Sequence, residues 1–373
     1  MLIRFKKNDG TEYPQWEKEV LNNILNLKSK TNHKVEDSIN NGPYLFFTNG
    51  EKTLFFNSYD FDGEHIIINT GGKADFRYYN GKFAASSDCL VVTSNICTAY
   101  VYYYLKKLID VINDKYFTGS GLRHLNKKSF LKKVISIPCL EEQQKIADFL
   151  SAVDQKIEAQ KSMVSDYEKL KKGIMQKIFN QEIKFKDDDG NEFPEWEESF
   201  LPNIAEIRMG QSPDSSTYNN KFEGLPLIQG NADILINRTT NPSRYTSAPT
   251  KQCDIGDIIM TVRAPVGYVA KALQKACIGR GVCAIKAKCN TEFLFQYLMF
   301  VEPKWKRVEQ GSTFTAIGGD DLKKLKVTVP CLNEQKKIAD CLSALDRKIE
   351  SEKKILADLE ELKKGLLQAI FNN

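Results

Sequence analysis

Apolar residues along this chain follow two periods. In two stretches they recur every three or four positions: Ile146, Leu150, Val153, Ile157, Val164, Tyr167, Ile174 and Ile178, then Ile338, Leu342, Leu345, Ile349, Leu356, Leu359, Leu366 and Ile370. That spacing draws one apolar stripe along an α-helix, as in a coiled-coil seam. Each stretch starts just after a proline, Pro138 or Pro330, and carries Glu141-Glu142 or Asn333-Glu334 in its first turn, where carboxylates favour a helix N-terminus. About 40 residues at roughly 1.5 Å each predict a rod of about 60 Å. Neither stripe can stay in water, so the two helices are expected to pack on each other; the alternative is that each packs on its own domain.

Elsewhere the apolar runs are short and bounded by turn residues. Leu54-Phe55-Phe56, Ile66-Ile67-Ile68 and Cys89–Val92 lie between Asn-Gly, Asp-Gly and Gly-Gly breaks. Leu225–Ile228, Ile258–Val262 and Val282–Ile285 form a second set, broken by Gly, Pro and Asn. Such runs predict strands. An amphipathic stretch follows each set, Tyr100–Ile112 and Thr291–Val301, and is expected to be helical. The fold class is therefore α+β: two mixed α/β bodies separated by two long helices forming an antiparallel coiled coil. The expected boundaries are 1–138 and 182–330 for the bodies, and 139–181 and 331–373 for the helices. The junction Gln181–Glu198, with Asp187-Asp188-Asp189-Gly190, is expected to be a turn-rich linker.

The two halves are copies. From Pro138 to Asn180 the chain aligns without a gap to the segment 192 positions later, with 27 identities in 43 pairs. Phe5, Lys6, Asp9, Gly10, Pro14, Trp16 and Glu17 recur 180 positions later as Phe185, Lys186, Asp189, Gly190, Pro194, Trp196 and Glu197. The insert between the matched frames is thus 12 residues longer in the second half. Matched frames around diverged inserts point to one scaffold used twice with two different binding faces.

Charge sharpens that division. Residues 141–181 carry seven acidic and seven basic side chains, and 333–373 carry eight of each. Residues 19–140 hold 15 basic against 11 acidic, and 199–332 hold 17 against 11. The positive excess therefore sits in the diverged bodies, where a polyanion would be gripped. No run of 18 apolar residues occurs, and the first residues lack the apolar stretch of a signal peptide, so a cytoplasmic protein without a membrane span is expected. Cys277, Cys283 and Cys289 recur every six residues, but zinc sites use closer ligand pairs and the chain has only three histidines. The nine cysteines are expected to be reduced thiols.

Catalytic motifs are scarce. There is no GxxxxGK[ST] phosphate loop. Phe117-Thr118-Gly119-Ser120-Gly121 matches the loose FxGxG form of a methyltransferase cofactor loop, yet its repeat partner, Glu309-Gln310-Gly311-Ser312-Thr313, does not. No Asn/Asp-Pro-Pro-aromatic tetrapeptide is present to hold a flipped base, and no nucleophile–base grouping recurs in both halves. A chain built twice without a repeated catalytic group fits a reader better than an enzyme. What does recur is loop chemistry suited to DNA: Ser120 and Ser312 sit at matched positions, the first followed by Arg123 and His124, the second by Thr313. Lys73, Arg77, Tyr78, Tyr79 and Lys82 cluster in the first body; Gln211, Arg238, Arg244, Tyr245, Arg263 and Arg280 lie in loops of the second. Lys and Arg neutralise phosphates, Arg presents a fork to guanine, and Asn or Gln pairs with adenine.

The pattern Pro-x-Leu-x-Glu-Gln-x-x-Ile-Ala-x-x-Leu-x-x-x-Asp-x-x-Ile, at Pro138 and again at Pro330, resembles the conserved regions of type I restriction-modification specificity (S) subunits. So do Gly210-Gln211-Ser212-Pro213, Gly256–Gly267 and Gly279-Arg280-Gly281, which resemble parts of one target recognition domain. In the first body Asn69–Lys73 departs from the second body's Arg-Ala-Pro-Val-Gly, as domains reading different sequences would. The resemblance implies a non-catalytic DNA-binding subunit whose two target recognition domains each read half of a bipartite double-stranded target. It also implies two adenine methyltransferase (M) subunits and restriction (R) subunits as partners. This chain would bind no cofactor or metal itself, S-adenosylmethionine, ATP and Mg belonging to the partners. The competing readings are a self-contained DNA methyltransferase or nuclease, and a coiled-coil scaffold with no DNA role.

If the paired helices are a spacer, their length sets the gap between half-sites. Inserting four residues near Lys161 adds about 6 Å to one helix. Near 3.4 Å per base pair, methylome sequencing should then show the same half-sites with the gap widened by about one or two pairs. An unchanged gap in a folded, active variant would rule out a spacer.

Overall fold

A computed structural model describes residues 3–311 and 316–371. The chain divides into two compact units, Met1–Ser162 with Lys353–Asn373, and Met163–Glu352. Both boundaries fall inside the long helices, which run unbroken over Leu140–Phe179 and Leu332–Phe371.

The first unit is built on a four-stranded antiparallel sheet in the order Leu25–Leu27, Cys89–Ser94, Glu64–Asn69, Phe76–Asn80. Period-2 alternation sends neighbouring isoleucines to opposite faces. Ile66 and Ile68 enter the main core with Phe76, Tyr100 and Phe130, while Ile67 packs on the other side with Phe83, Ala85 and Val91. That second face is covered by a smaller sheet of Leu54–Phe56, Tyr44–Phe47 and Phe83–Ala85, the last pair parallel. The second unit repeats the plan. Its sheet runs Ala205–Met209, Val282–Ala287, Ile258–Thr261, Val269–Lys271. Ile258 and Met260 point into one core and Ile259 into another with Ile228, Cys253 and Ile278.

The expected strands are all present, and the helices need adjustment. Tyr100–Ile112 is two helices, Thr98–Lys107 and Ile109–Tyr116, meeting at Leu108. The buried set Leu105, Leu108 and Ile112 keeps a three-four spacing across the break, which hides it from a periodicity count. The helix expected at Thr291–Val301 continues past Pro303 to Gly311.

The stripes on the long helices serve both of the uses considered for them. Ile146 and Leu150 are buried in the first unit's core beside Tyr100 and Val101, and Ile370 and Phe371 from the end of the other helix join them there. Further along, Ile157 is buried and Val153 half-buried. In the second unit Ile338 and Leu342 meet Ile178 and Phe179 in the same way, with Ile349 buried and Leu345 half-buried. Within each unit the helix segments run antiparallel. Lys363 lies 2.5 Å from Asp154 in the first unit, and Lys171 lies 2.6 Å from Asp346 in the second. These are the same two repeat positions exchanged between the helices. Tyr103 donates to Asp154 at 2.9 Å and Gln296 to Asp346 at 2.8 Å, so each pair is also tied to the body above it. A partly buried charge pair of this kind sets register more than it adds stability.

The start of each long helix is tied down by two side chains. Gln143 donates to the Pro138 carbonyl at 2.8 Å and accepts from the Cys97 amide at 3.2 Å, just before Thr98–Lys107. Gln335 donates to Pro330 at 2.8 Å and accepts from the Asn290 amide at 3.0 Å, just before Thr291–Gly311. Glu142 and Glu334, both buried, accept from the indoles of Trp16 and Trp196 at 3.1 Å. The segment expected to be a linker after Gln181 is a docked turn. Lys337 donates to the Lys186 carbonyl and to Asp188, as Lys145 does to Lys6 and Asn8.

The two carboxylates differ in one partner. Arg4 reaches Glu142 at 3.2 Å, whereas Lys184, its repeat counterpart, pairs with Glu195 at 3.3 Å and leaves Glu334 to the Trp196 indole and the Phe185 backbone amide. Burial pushes the Glu334 carboxyl above its ordinary 4.5, against the lowering effect of the Trp196 bond. A carboxyl whose folded pKa is raised adds stability below its ordinary pKa and loses it as pH rises through the raised value. Glu334→Gln, which cannot ionise, should therefore gain on the wild type in melting temperature between pH 4 and pH 7. Glu142→Gln removes the partner of a guanidinium and should cost the first unit about 1–3 kcal/mol in a denaturant titration.

Candidate nucleic-acid interface

In each unit four loops that follow or precede the strands are joined by backbone hydrogen bonds and bridges. Their correspondence follows from matched hydrogen bonds. Ser86 N donates to Phe47 O at 2.8 Å, as Gly279 N does to Ile228 O at 2.7 Å. Cys89 N donates to Ser86 O at 3.0 Å, as Val282 N does to Gly279 O at 3.2 Å. Thr70 N donates to Asp88 O at 3.1 Å, as Val262 N does to Gly281 O at 2.9 Å. Antiparallel bridges join Gly71 to His124 and Arg263 to Ala316. Ser87 therefore stands where Arg280 does, Gly71 where Arg263 does, and His124 where Ala316 does.

At the first unit's edge lies a cleft of about 560 Å³ lined by Asn49, Thr70, Gly71, Lys73, Leu122 and His124. The loop carrying Leu122 and His124 is stitched down by Gly72 N donating to Arg123 O at 2.8 Å and Leu125 N to Thr70 O at 2.9 Å. A neighbouring hollow of about 340 Å³ adds Lys28, Lys30, Ser87 and Lys127. Lysines and neutral hydrogen-bonding groups dominate the second hollow, whereas the cleft sets Lys73, Asn49 and His124 beside the carboxylates of Glu51, Asp75 and Asp88.

The expected cluster of the first unit comes apart. Lys73 and His124 are exposed at the cleft, and Ser120 is exposed on the same loop. Tyr78, Tyr79 and Lys82 belong to the far end of the strand pair, where Asn80 faces Glu64. Five residues of strand, about 16 Å, separate that end from Asn69. Tyr79 packs on Phe47 and Phe83 with centroids 5.5 and 5.6 Å away. The Tyr78 hydroxyl is pushed up first by burial and then by Glu64. Lys82 lies 4.6 Å over the Tyr59 ring. Arg77 is an internal brace that donates to the Thr48 carbonyl and to Asn69. Arg123 caps a helix end, donating to the Asn113 and Phe117 carbonyls. Neither guanidinium is free for a base.

The second unit keeps more of its expected residues together. Close backbone approach builds the tip. A Cβ on Gly281 would fall 2.1 Å from the Gln229 carbonyl oxygen, and one on Gly210 would fall 2.1 Å from that of Gly279. Only glycine lets these loops nest. The Gln211 amide donates to Ile278 O at 2.9 Å and the Arg280 amide to Ser212 Oγ at 3.1 Å. The Gln229 side chain donates to Tyr218 at 2.8 Å. Asp233 accepts from the Gln229 and Gly230 amides; burial raises its carboxyl while these bonds oppose the rise. Gln211, Arg263 and Arg280 are exposed at this edge. Arg244 is exposed beside Tyr245, whose ring lies 5.0 Å from Phe222. Arg238 is withdrawn, paired with Glu302 at 2.7 Å and 3.9 Å over the Tyr268 ring. Ser312 and Thr313 lie outside the described residues.

Asn49, Thr70, Lys28, Lys30 and Leu122 join the edge without any motif that marks them, whereas Lys127 belongs to the polar run that follows Ser120. The usable signal was position: in both bodies the edge residues directly follow or precede an apolar strand, so aligning strand ends across the repeat would have flagged them. Among the described residues no group of three His, Cys, Asp or Glu is placed to hold a metal, and no helix is long and apolar enough to cross a membrane.

A family model described as the type I restriction modification DNA specificity domain matches this sequence twice, over residues 13–164 and 194–361. The specificity subunit named for the type I restriction enzyme MjaX of Methanocaldococcus jannaschii is 38% identical over 281 residues. That match covers 73% of this chain and 64% of the relative's length. The MjaVIII specificity subunit of the same organism is 27% identical over 294 residues, covering 73% of this chain and 69% of that protein. A crystal structure of a type I restriction-modification S subunit from M. genitalium aligns with a TM-score of 0.64 at 18% identity, covering 100% of this chain and 99% of that one. A chain from a study of type I restriction-modification complex assembly gives 0.61 at 22% identity, covering 96% and 98%. The structural likenesses speak to the fold.

Two glycines should respond oppositely to alanine. Gly281→Ala places a methyl against the Gln229 carbonyl and should cost the second unit about 1–3 kcal/mol. Gly173 sits in the helix Leu140–Phe179 with nothing within 4 Å of an added Cβ, so Gly173→Ala should stabilise by about 0.5–1 kcal/mol. Thermal unfolding of the two variants checks both signs.

Proposed function

Because this chain belongs to the type I restriction-modification DNA specificity family, we propose that it is a sequence-reading subunit with no catalysis of its own. Each unit reads one half of a bipartite duplex target through its loop edge. One observation carries this reading: the same four-loop edge is built twice on one scaffold, with different side chains at equivalent positions. A duplicated enzyme would keep its reacting groups, whereas a duplicated reader would keep its frame and change its contacts. The positive excess of both bodies supports a polyanionic partner.

In this reading the long helices space the two readers and offer docking surfaces to two methyltransferase subunits, with restriction subunits joining them in the cytoplasm. S-adenosylmethionine, ATP and Mg act on those partners, and this chain contributes the address. A scaffold with no DNA role would leave the exposed arginines and lysines of the edges without a purpose.

The purified chain incubated with labelled S-adenosylmethionine and duplex DNA should give background counts. Methylation that survives rigorous removal of every partner would overturn the reader. Duplex affinity should fall linearly with salt on a log–log plot, steepening by about 0.9 for each phosphate contact.

A further inference from the structure

The two reading edges differ in a way that bears on the bases they accept. Three arginines belong to the first unit, and each is used internally. Arg4 holds Glu142, Arg77 holds Thr48 and Asn69, and Arg123 holds Asn113 and Phe117. The second unit spends Arg208 on the Gln252 carbonyl and Arg238 on Glu302. At its edge, however, Arg263 and Arg280 are exposed, and among the described residues neither guanidinium has a hydrogen bond or ion pair. Their equivalents in the first unit are Gly71 and Ser87, which cannot project a donor fork.

The backbone beneath these two arginines is fixed. Arg280 stands between Gly279 and Gly281, whose close approach to Gln229 pins the loop, and its own amide is held by Ser212. Arg263 is held by the bridge to Ala316, and the Val262 amide beside it donates to Gly281, which ties both arginines to one tip. A long donor fork on a rigid tip, with no internal acid to occupy it, suits a bidentate bond to guanine O6 and N7. Asn49, Lys73 and His124 at the first edge offer single donors or an amide, without such a fork.

Resting on the reading of the chain as a bipartite DNA reader, we infer that Arg263 and Arg280 are guanine-reading residues, and that guanine recognition by an arginine fork is confined to the half-site of the second unit. The first unit's half-site is read by amide, imidazole and ammonium groups instead.

Lysine substitution separates a base contact from a phosphate contact. It keeps the charge and loses the fork, so a phosphate contact tolerates it and a guanine contact does not. The full chain, together with its proposed methyltransferase partner, would be used to select bound duplexes from a randomised library, and the selected pool sequenced. The wild type should yield two half-sites, one with a guanine preferred by about tenfold or more at the arginine positions. Arg280→Lys and Arg263→Lys should each flatten the preference at one such guanine and leave the other half-site unchanged. Arg280→Ser, the residue that the first unit carries there, should do the same in a folded protein.

Lysine variants that keep every base preference would overturn the inference, as would a wild-type consensus whose second-unit half lacks guanine. A uniform loss of affinity with an unchanged consensus would make both arginines phosphate contacts, and also overturns it. If the wild type selects no consensus at all, the bipartite reader fails, and the inference falls with it. That last outcome is recognisable before any variant is made.

Discussion

Everything in this fold hangs on a buried Glu-Gln pair at the start of each long helix. Glu142-Gln143 and Glu334-Gln335 are polar, almost fully buried, and placed where a helix would otherwise present unpaired groups to an apolar core. Each glutamine closes two of those gaps, taking an amide ahead of the body's helix with its oxygen and giving its amide hydrogen to the proline carbonyl behind. Each glutamate takes the indole of a tryptophan from the segment that opens the same body. Three pieces of chain far apart in sequence are thereby fastened at one point. Leaving any of these groups without its partner would carry a desolvation cost of about 1–3 kcal/mol. That cost explains why the doublet recurs unchanged while the loops around it do not.

With the frame fastened there, the edge loops are free to vary. The hydrogen bonds that shape them run between backbone groups, so the scaffold specifies where a side chain is displayed without specifying which one. Gly71 and Arg263 sit on equivalent bridges, one in each unit; Ser87 and Arg280 each sit at the same step after a parallel strand. A duplicated frame of this kind can acquire two different readouts without any change to its core.

Much of the architecture was legible in the sequence because it depends on period. Ile66-Ile67-Ile68 and Ile258-Ile259-Met260 could be placed as strands, and the stripes from Ile146 and Ile338 as helices, since burial imposes that spacing. What was not legible depended on partners. Nothing in the local sequence distinguishes Arg238, committed to Glu302, from Arg280, which is free of such a partner, because the partner lies 64 positions away. Tyr79 and Lys82 looked like neighbours of Lys73, yet the strand between them carries them to the opposite end of the sheet. The docked turn at Asp187 looked like a linker because its acidic run gives no sign of the Lys337 ammonium that holds its neighbours. Periods declare elements, and only the folded chain declares which charges are already spent.

That this protein supplies a discontinuous DNA address is tested most directly by mapping adenine methylation across the genome of its source cell with and without its gene. The predicted result is the loss of one motif made of two unlike short sequences at a fixed separation, with all other methylation unchanged. An identical methylome in both cells, with the gene expressed in the first and its partners intact, would contradict it.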